Sequence, residues 1–284
     1  MSNNDDAIEV YIIAYNNIFC VEYQIKTYNA FCKDNYRLIV IDSNCGEHPE
    51  NSELKKKICD DNNVEFILLP NNLSMIGEWS SLVLGHKLNY VYYNIVLKRK
   101  PKYFAFIDQD FFPFAEFSLK DFLDKNGMYG DVMEINGQGS KSITELNDSP
   151  WVIHPWLSFY RLDFIEDFNM DWTPCANFDT GGSNWEAFTS KKDINKGTYW
   201  LRDKTIMYFP WEDVSKDGPH GYENEYFNWN GNQIYGQVQI YDNKFIHVLN
   251  SRFLDDPFNP KTNWCKGFLD SGLMTHGLIK SKYW

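Results

Sequence analysis

Glycine loops of the kind that cradle phosphates are missing from this chain: neither a GxGxxG nor a P-loop pattern follows any strand-like run. That absence argues against a classical dinucleotide dehydrogenase and a P-loop NTPase. Basic charge is scarce as well. Lys and Arg total 27 against 39 Asp and Glu, a formal net charge of −12. Nucleic acid is therefore not the expected main partner, because phosphate binding needs clustered Lys and Arg. An acidic chain that takes a phosphorylated ligand does so locally, with a metal bridging the like charges. CxxC pairs are absent, and the six cysteines (Cys20, Cys32, Cys45, Cys59, Cys175, Cys265) are scattered. This disfavours structural zinc and a disulfide scaffold, and reads as a reduced, cytoplasmic protein with mostly inert thiols. No apolar run is long enough to span a bilayer, so no transmembrane segment is expected. The polar, acidic start Met1-Ser2-Asn3-Asn4-Asp5-Asp6 reads as carrying no secretory signal.

What the chain has in excess is aromatic rings: 17% of residues, with 10 Trp and 18 Tyr. The excess fits a protein that handles sugars or flat rings, and core packing accounts for it equally well. A length of 284 residues is enough for a full core. Repeats and low-complexity tracts are absent, which leaves one domain with two functional halves as the economical expectation.

The first half alternates. Glu9–Asn16, Tyr36–Asn44 and Val64–Pro70 read as strands, each ending in polar or turn residues. Ile18–Cys32, Asn51–Asp60 and about Ser74–Val96 have helical spacing between and after them. Such alternation predicts an α/β fold with a Rossmann-like, mostly parallel central sheet flanked by helices. The fourth strand is the most informative stretch. Phe104-Ala105-Phe106-Ile107 runs into Asp108-Gln109-Asp110, and Phe111-Phe112-Pro113-Phe114 follows. Two ionised carboxylates cannot be buried unpaired inside a strand, so they belong just past its C-terminal end, where open α/β sheets hold ligands. There they make a seat for a hard divalent cation. Tyr15, Asn16, Asp42, Ser43 and Asn44 are expected on the same rim. Taken singly, each is as readily a turn or capping residue.

Together these residues resemble the nucleotide-sugar half of a GT-A-fold glycosyltransferase, similar to the large family 2-like group. The resemblance covers about residues 8–115. It rests on Ile12-Ile13-Ala14-Tyr15-Asn16, Val40-Ile41-Asp42-Ser43, Leu88-Asn89 and Phe106-Ile107-Asp108-Gln109-Asp110 as the DxD motif. It implies a nucleotide-sugar donor (a UDP- or GDP-sugar) held by Ala14, Tyr15, Asn16, Asp42, Asn89 and Asp108. It also implies a Mn²⁺ or Mg²⁺ on Asp108 and Asp110. The second loop departs from the family's Asp-Asp-Gly-Ser, reading Asp42-Ser43-Asn44, which leaves the base open.

The acceptor half is expected over about 116–252, and residues 253–284 as a tail packed on the domain. Trp151–Arg161 is aromatic and β-prone, a candidate antiparallel strand. Asp179, in Asp179-Thr180-Gly181-Gly182, resembles the family's acceptor-facing Asp-x-Gly segment, and a helix cap explains it equally. As a carboxylate it is the candidate base for an acceptor hydroxyl, with Glu223 a weaker choice and Glu212, Asp213 and Glu225 in competition. The late strand Lys244–Arg252 carries His247. A lone histidine there is ordinarily a core residue, but the resemblance makes it a third metal ligand, with Arg252 reaching the diphosphate. His154 and His220 are weaker candidates. The expected activity is metal-dependent transfer of a sugar to an acceptor hydroxyl, that of a glycan. Two alternatives stand beside it: a sugar-phosphate nucleotidyltransferase and a non-catalytic carbohydrate-binding protein.

Overall fold

The structure is a computed structural model that describes residues 6–75, 77–134, 150–175, 179–190, 198–200, 206–208, 226–229, 232–235, 238–248 and 254–275. Along the chain its strands are β1 (Ile8–Ala14), β2 (Tyr36–Asp42), β3 (Glu65–Leu68), β4 (Tyr103–Asp108), β5 (Phe111–Pro113), β6 (Met128–Glu134) and β7 (Trp151–Arg161). They continue as β8 (Thr198–Trp200), β9 (Ile206–Tyr208), β10 (Tyr226–Trp229), β11 (Asn232–Tyr235), β12 (Val238–Tyr241) and β13 (Phe245–Val248). The main helices are α1 (Ile18–Phe31), α2 (Pro49–Asp61), α3 (Ser80–Val91), α4 (Lys120–Asn126), α5 (Trp185–Ser190) and α6 (Pro260–Thr275).

The chain divides into two compact units. Unit 1 takes residues 1–15, 33–108 and 118–203, and unit 2 takes 16–32, 109–117 and 204–284. Unit 1 is built on a seven-stranded sheet in the order β3-β2-β1-β4-β7-β6-β8. The pairings β1–β2, β1–β4, β2–β3 and β6–β8 are parallel, while β7 runs antiparallel to both β4 and β6. The mixed, mostly parallel sheet and the antiparallel Trp151–Arg161 strand are as the sequence predicts. All seven residues of β1 are buried, which is why its pattern is a continuous apolar run rather than an alternation. The aromatics do go inside: Phe104, Phe106, Trp151, Tyr160, Trp172 and Phe188 share one core cluster.

Two elements differ from expectation. The helix predicted from Ser74 begins at Ser80, passes through a π-turn over Tyr92–Val96 and closes with a last α-turn at Leu97–Arg99. Gly77 sits at φ +88 and the Glu78 N–H bonds back to Met75, so the chain turns there before Trp79 opens the helix. The C-terminal tail contains a 16-residue helix, α6. Asn259 Oδ1 accepts the Lys261 N–H at 2.9 Å and Pro260 follows it, a helix-start arrangement.

Unit 2 contains a four-stranded sheet, β5-β13-β12-β9, and a β10–β11 pair. The pairings β5–β13, β12–β13 and β9–β12 are antiparallel. Helix α1 starts on Asn17, whose Oδ1 accepts the Cys20 N–H at 2.9 Å. Asp255 takes the first two orphan donors, Ile18 N–H at 3.0 Å and Phe19 N–H at 2.8 Å.

Candidate active site

In unit 1 the register sets Ala14 beside Asp42 and Ile13 beside Asp108, so β1, β2 and β4 end level. Their carboxyl ends gather Tyr15, Asp42, Ser43, Asn44 and Asp108 on one edge. Asp42 is fully buried, and its Oδ1 lies 2.5 Å from the equally buried Lys55 Nζ, which rises from α2. Lys55 also donates to the Tyr15 carbonyl. Asp42 Oδ1 further accepts the Asn44 N–H at 3.2 Å, while Oδ2 is buried with no hydrogen-bond partner among the described residues. Asn44 fixes the loop that follows: its Nδ2 donates to Ser52 Oγ at 2.8 Å and its Oδ1 accepts the Gly46 N–H at 2.9 Å.

A second lysine reaches the same edge. Lys87, on α3, is 4% exposed and donates to the Ser43 carbonyl, with its Nζ 5.6 Å from the centre of the Tyr15 ring. Tyr15 itself is 40% exposed. Its hydroxyl donates to Glu47 Oε2 at 2.8 Å, and Ser74 Oγ donates to Glu47 Oε1 at 2.7 Å. The Ser74 bond, ahead of the Tyr15 bond and the Lys87 charge, holds the Glu47 carboxyl below its usual pKa against the opposing effect of burial. Burial, then Glu47, pushes the Tyr15 phenol up to about 12.

Asn89 is committed on both sides of its amide. Its Nδ2 donates to Asp171 Oδ1 at 2.7 Å and its Oδ1 accepts the Trp172 N–H at 2.9 Å. The same stretch packs closely on α3, since a Cβ on Gly85 would stand 2.5 Å from the Trp172 carbonyl oxygen. Thr180 Oγ1 donates to the Ser81 carbonyl at 3.3 Å, which brings Asp179 beside the first turn of α3. Asp179 does not cap α5. Its Oδ1 accepts the Thr180 N–H at 2.7 Å, and Gly181 at φ +87 turns the chain into the short 3₁₀ turn Gly182–Asn184 ahead of that helix.

In unit 2 the sequence-predicted Asp110 and His247 come together. The Val248 N–H donates to the Asp110 carbonyl at 2.9 Å, and His247 Nε2 lies 3.3 Å from Asp110 Oδ1. His247 is 3% exposed, with the Phe111 ring centre 5.5 Å from its own. Lys261, from the first turn of α6, is buried, and burial lowers its pKa to about 8 against the opposing charge of Asp110. Asn16 precedes the Asn17 cap. No group of three His, Cys, Asp or Glu side chains placed to hold a metal occurs among the described residues. Glu212, Asp213, His220, Glu223, Glu225 and Arg252 lie outside those residues.

Lys55, Glu47, Lys87 and Lys261 were not anticipated as site residues. Asn51–Asp60 reads as a polar, solvated helix, and nothing in its pattern marks Lys55 as the lysine that is buried. For Lys261 a signal exists, the Asn259-Pro260 helix start, which places the next residue in a first turn.

No family model matches the chain, and no curated protein does. Several solved structures resemble it. One is the mannosyltransferase PcManGT from Pyrobaculum calidifontis in complex with GDP-Man and Mn²⁺, at 14% identity and TM-score 0.43 over 71% of this chain and 56% of that one. Another is the galactosyltransferase LgtC with donor and acceptor sugar analogues, at 12% and 0.39 over 68% of this chain and 73% of that one. A third is core-mannan synthase A from Aspergillus fumigatus in its Mn/GDP form, at 12% and 0.41 over 71% and 74%. The chain thus spans just over half the length of the first of these. At such identity and superposition, any functional reading has to rest on the chain's own side chains.

Proposed function

We propose that the chain is a metal-dependent glycosyltransferase of the GT-A type, moving a sugar from a nucleoside-diphosphate sugar to an acceptor hydroxyl. The observation that carries this reading is the approach of His247 Nε2 to Asp110 Oδ1 at 3.3 Å, which joins the second acid of the DxD motif to a histidine on a late strand. A carboxylate and an imidazole form a donor set suited to Mn²⁺ and poorly suited to Ca²⁺. Asp108 joins the reading from its place in the motif. When bound, the cation would offset the charge that builds on the departing diphosphate. The chain's own residues supply the rest. Asp42 is the candidate to accept an N–H from the base of the donor, a role supported by its buried Oδ2, which has no hydrogen-bond partner among the described residues. Asp179 is the candidate to accept the proton of the attacking hydroxyl. Holding donor and acceptor in register provides further acceleration.

The test is calorimetry of the purified chain with UDP, GDP and their sugars, with and without Mn²⁺, together with a sugar-transfer assay. The reading expects metal-dependent nucleotide binding, and Asp110→Ala should abolish metal-dependent turnover with the fold intact. Binding of free glycans with no response to nucleotide or metal would replace it with a carbohydrate-binding protein.

A further inference from the structure

Lys55 and Lys87, the two buried lysines among the described residues of unit 1, are satisfied in different ways. Lys55 has a carboxylate, Asp42, at 2.5 Å. Among the described residues Lys87 has a single hydrogen-bond acceptor, the Ser43 carbonyl, and a ring, Tyr15, under its charge. Among the described residues no carboxylate stands within ion-pair distance of it. Glu47, whose pKa feels the Lys87 charge, has one carboxylate oxygen on the Tyr15 hydroxyl and the other on Ser74. An ammonium carries three donors, and removing its charge from water without an anion is costly. The amine stands at the carboxyl ends of β1 and β2, immediately after Ala14 and Asp42, where open α/β sheets take their ligands. The helical stem of α3 holds the amine there, and Tyr15, 40% exposed, marks the solvent side.

We propose that Lys87 is an anion-binding residue for the donor, its ammonium taking a phosphate oxygen of the nucleoside diphosphate. This rests on the transferase reading and adds to it a fixed protein cation for the phosphates, separate from the divalent ion. It also explains how a chain without any glycine-rich phosphate loop neutralises part of that charge. Tyr15 then has two duties, covering one side of the ammonium and, through Glu47 and Ser74, tying the loops after β2 and β3 together.

The experiment is calorimetry on Lys87→Met and Lys87→Arg beside the unaltered protein, with UDP, GDP, uridine, guanosine and inorganic pyrophosphate as probes. Lys87→Met should weaken UDP or GDP binding by about 10- to 100-fold, the loss of one charged hydrogen bond, and leave nucleoside binding within about twofold. Lys87→Arg should restore part of the loss. The melting temperature of the free Lys87→Met protein should not fall, because the change removes a buried charge that has no anionic partner among the described residues. Equal UDP and GDP affinities in Lys87→Met and the parent would overturn the proposal, and so would a marked fall in melting temperature, which would make the lysine structural. If the parent binds no nucleotide, the transferase reading fails first and pyrophosphate decides: retention by the parent alone keeps the anion site, and any other result ends it.

Discussion

Lys55 Nζ lies 2.5 Å from Asp42 Oδ1, and neither side chain has any exposed surface. A buried ion pair of this kind contributes little net stability, but removing one partner strands the other charge in a low-dielectric interior. Lys55→Met should therefore cost about 3–5 kcal/mol, read from urea unfolding. The double change Lys55→Met with Asp42→Leu should recover most of that loss while abolishing nucleotide binding, because Asp42 is the proposed base contact. A single variant within about 1 kcal/mol of the parent would mean that water reaches the pair.

The Asp110–His247 approach makes a separate prediction about metal. Both groups belong to unit 2, and β5 and β13 pair across Phe111 and His247 to hold them. His247→Ala should weaken Mn²⁺ binding by about 10-fold or more, the scale of losing a direct metal contact or its close support. The same variant should leave binding of metal-free nucleosides unchanged. Mn²⁺ affinity equal to the parent's would make His247 an ordinary core histidine beside an acid.

How far the sequence reached depends on which physical signal each feature leaves. Continuous apolar runs such as Ile8–Ala14 and Tyr103–Asp108 announce buried parallel strands, and the acids and asparagines that end them announce the functional edge. Trp151–Arg161 was legible as a strand because its residues are aromatic and β-branched. Burial of individual lysines was not legible, since a lysine on a helix reads as a solvated face until a partner from another element is known. The Lys55–Asp42 and Lys87–Ser43 pairings each join a helix to the end of a strand, 13 and 44 positions away, and no local periodicity encodes them. Asn89, which the resemblance assigns to the donor, has both ends of its amide engaged with Asp171 and Trp172, a cross-element pairing that leaves no local signal.

The cysteines divide by access. Cys20, Cys45, Cys59 and Cys265 are buried, and Cys32 and Cys175 are half-buried; all six are thiols outside any disulfide. Burial pushes the Cys59 thiol up to about 12, and raises the Cys45 and Cys265 thiols as well. Since the thiolate is the reactive form, a thiol-labelling reagent at about pH 8 should titrate Cys32 and Cys175 in the folded protein. The other four should appear only in denaturant. Prompt labelling of four or more native thiols would contradict the packing around α2 and α6.

Asn89 and Asp171 yield a pH-dependent prediction. Burial alone would raise the Asp171 carboxyl, but the Asn89 amide and the Thr173 N–H outweigh it and hold the group below its usual value. A carboxyl depressed in the folded state contributes stability above its unfolded pKa of about 3.9, and that contribution disappears as pH falls through the lower folded value. Asn89→Ala removes the stronger of these supports and also strands the Trp172 N–H. The variant should lose about 1–3 kcal/mol near neutral pH. The gap between parent and variant should narrow below about pH 4, where Asp171 is protonated in both unfolded chains and progressively in the folded ones. Gly85→Ala supplies a control at the same contact. Its methyl group meets the Trp172 carbonyl at 2.5 Å, so it should destabilise the protein by a similar amount with no such narrowing in acid. A parent–variant gap for Asn89→Ala that stays constant from neutral pH down to about pH 3 would show that the amide supports the Asp171–Trp172 backbone without holding the carboxylate's charge.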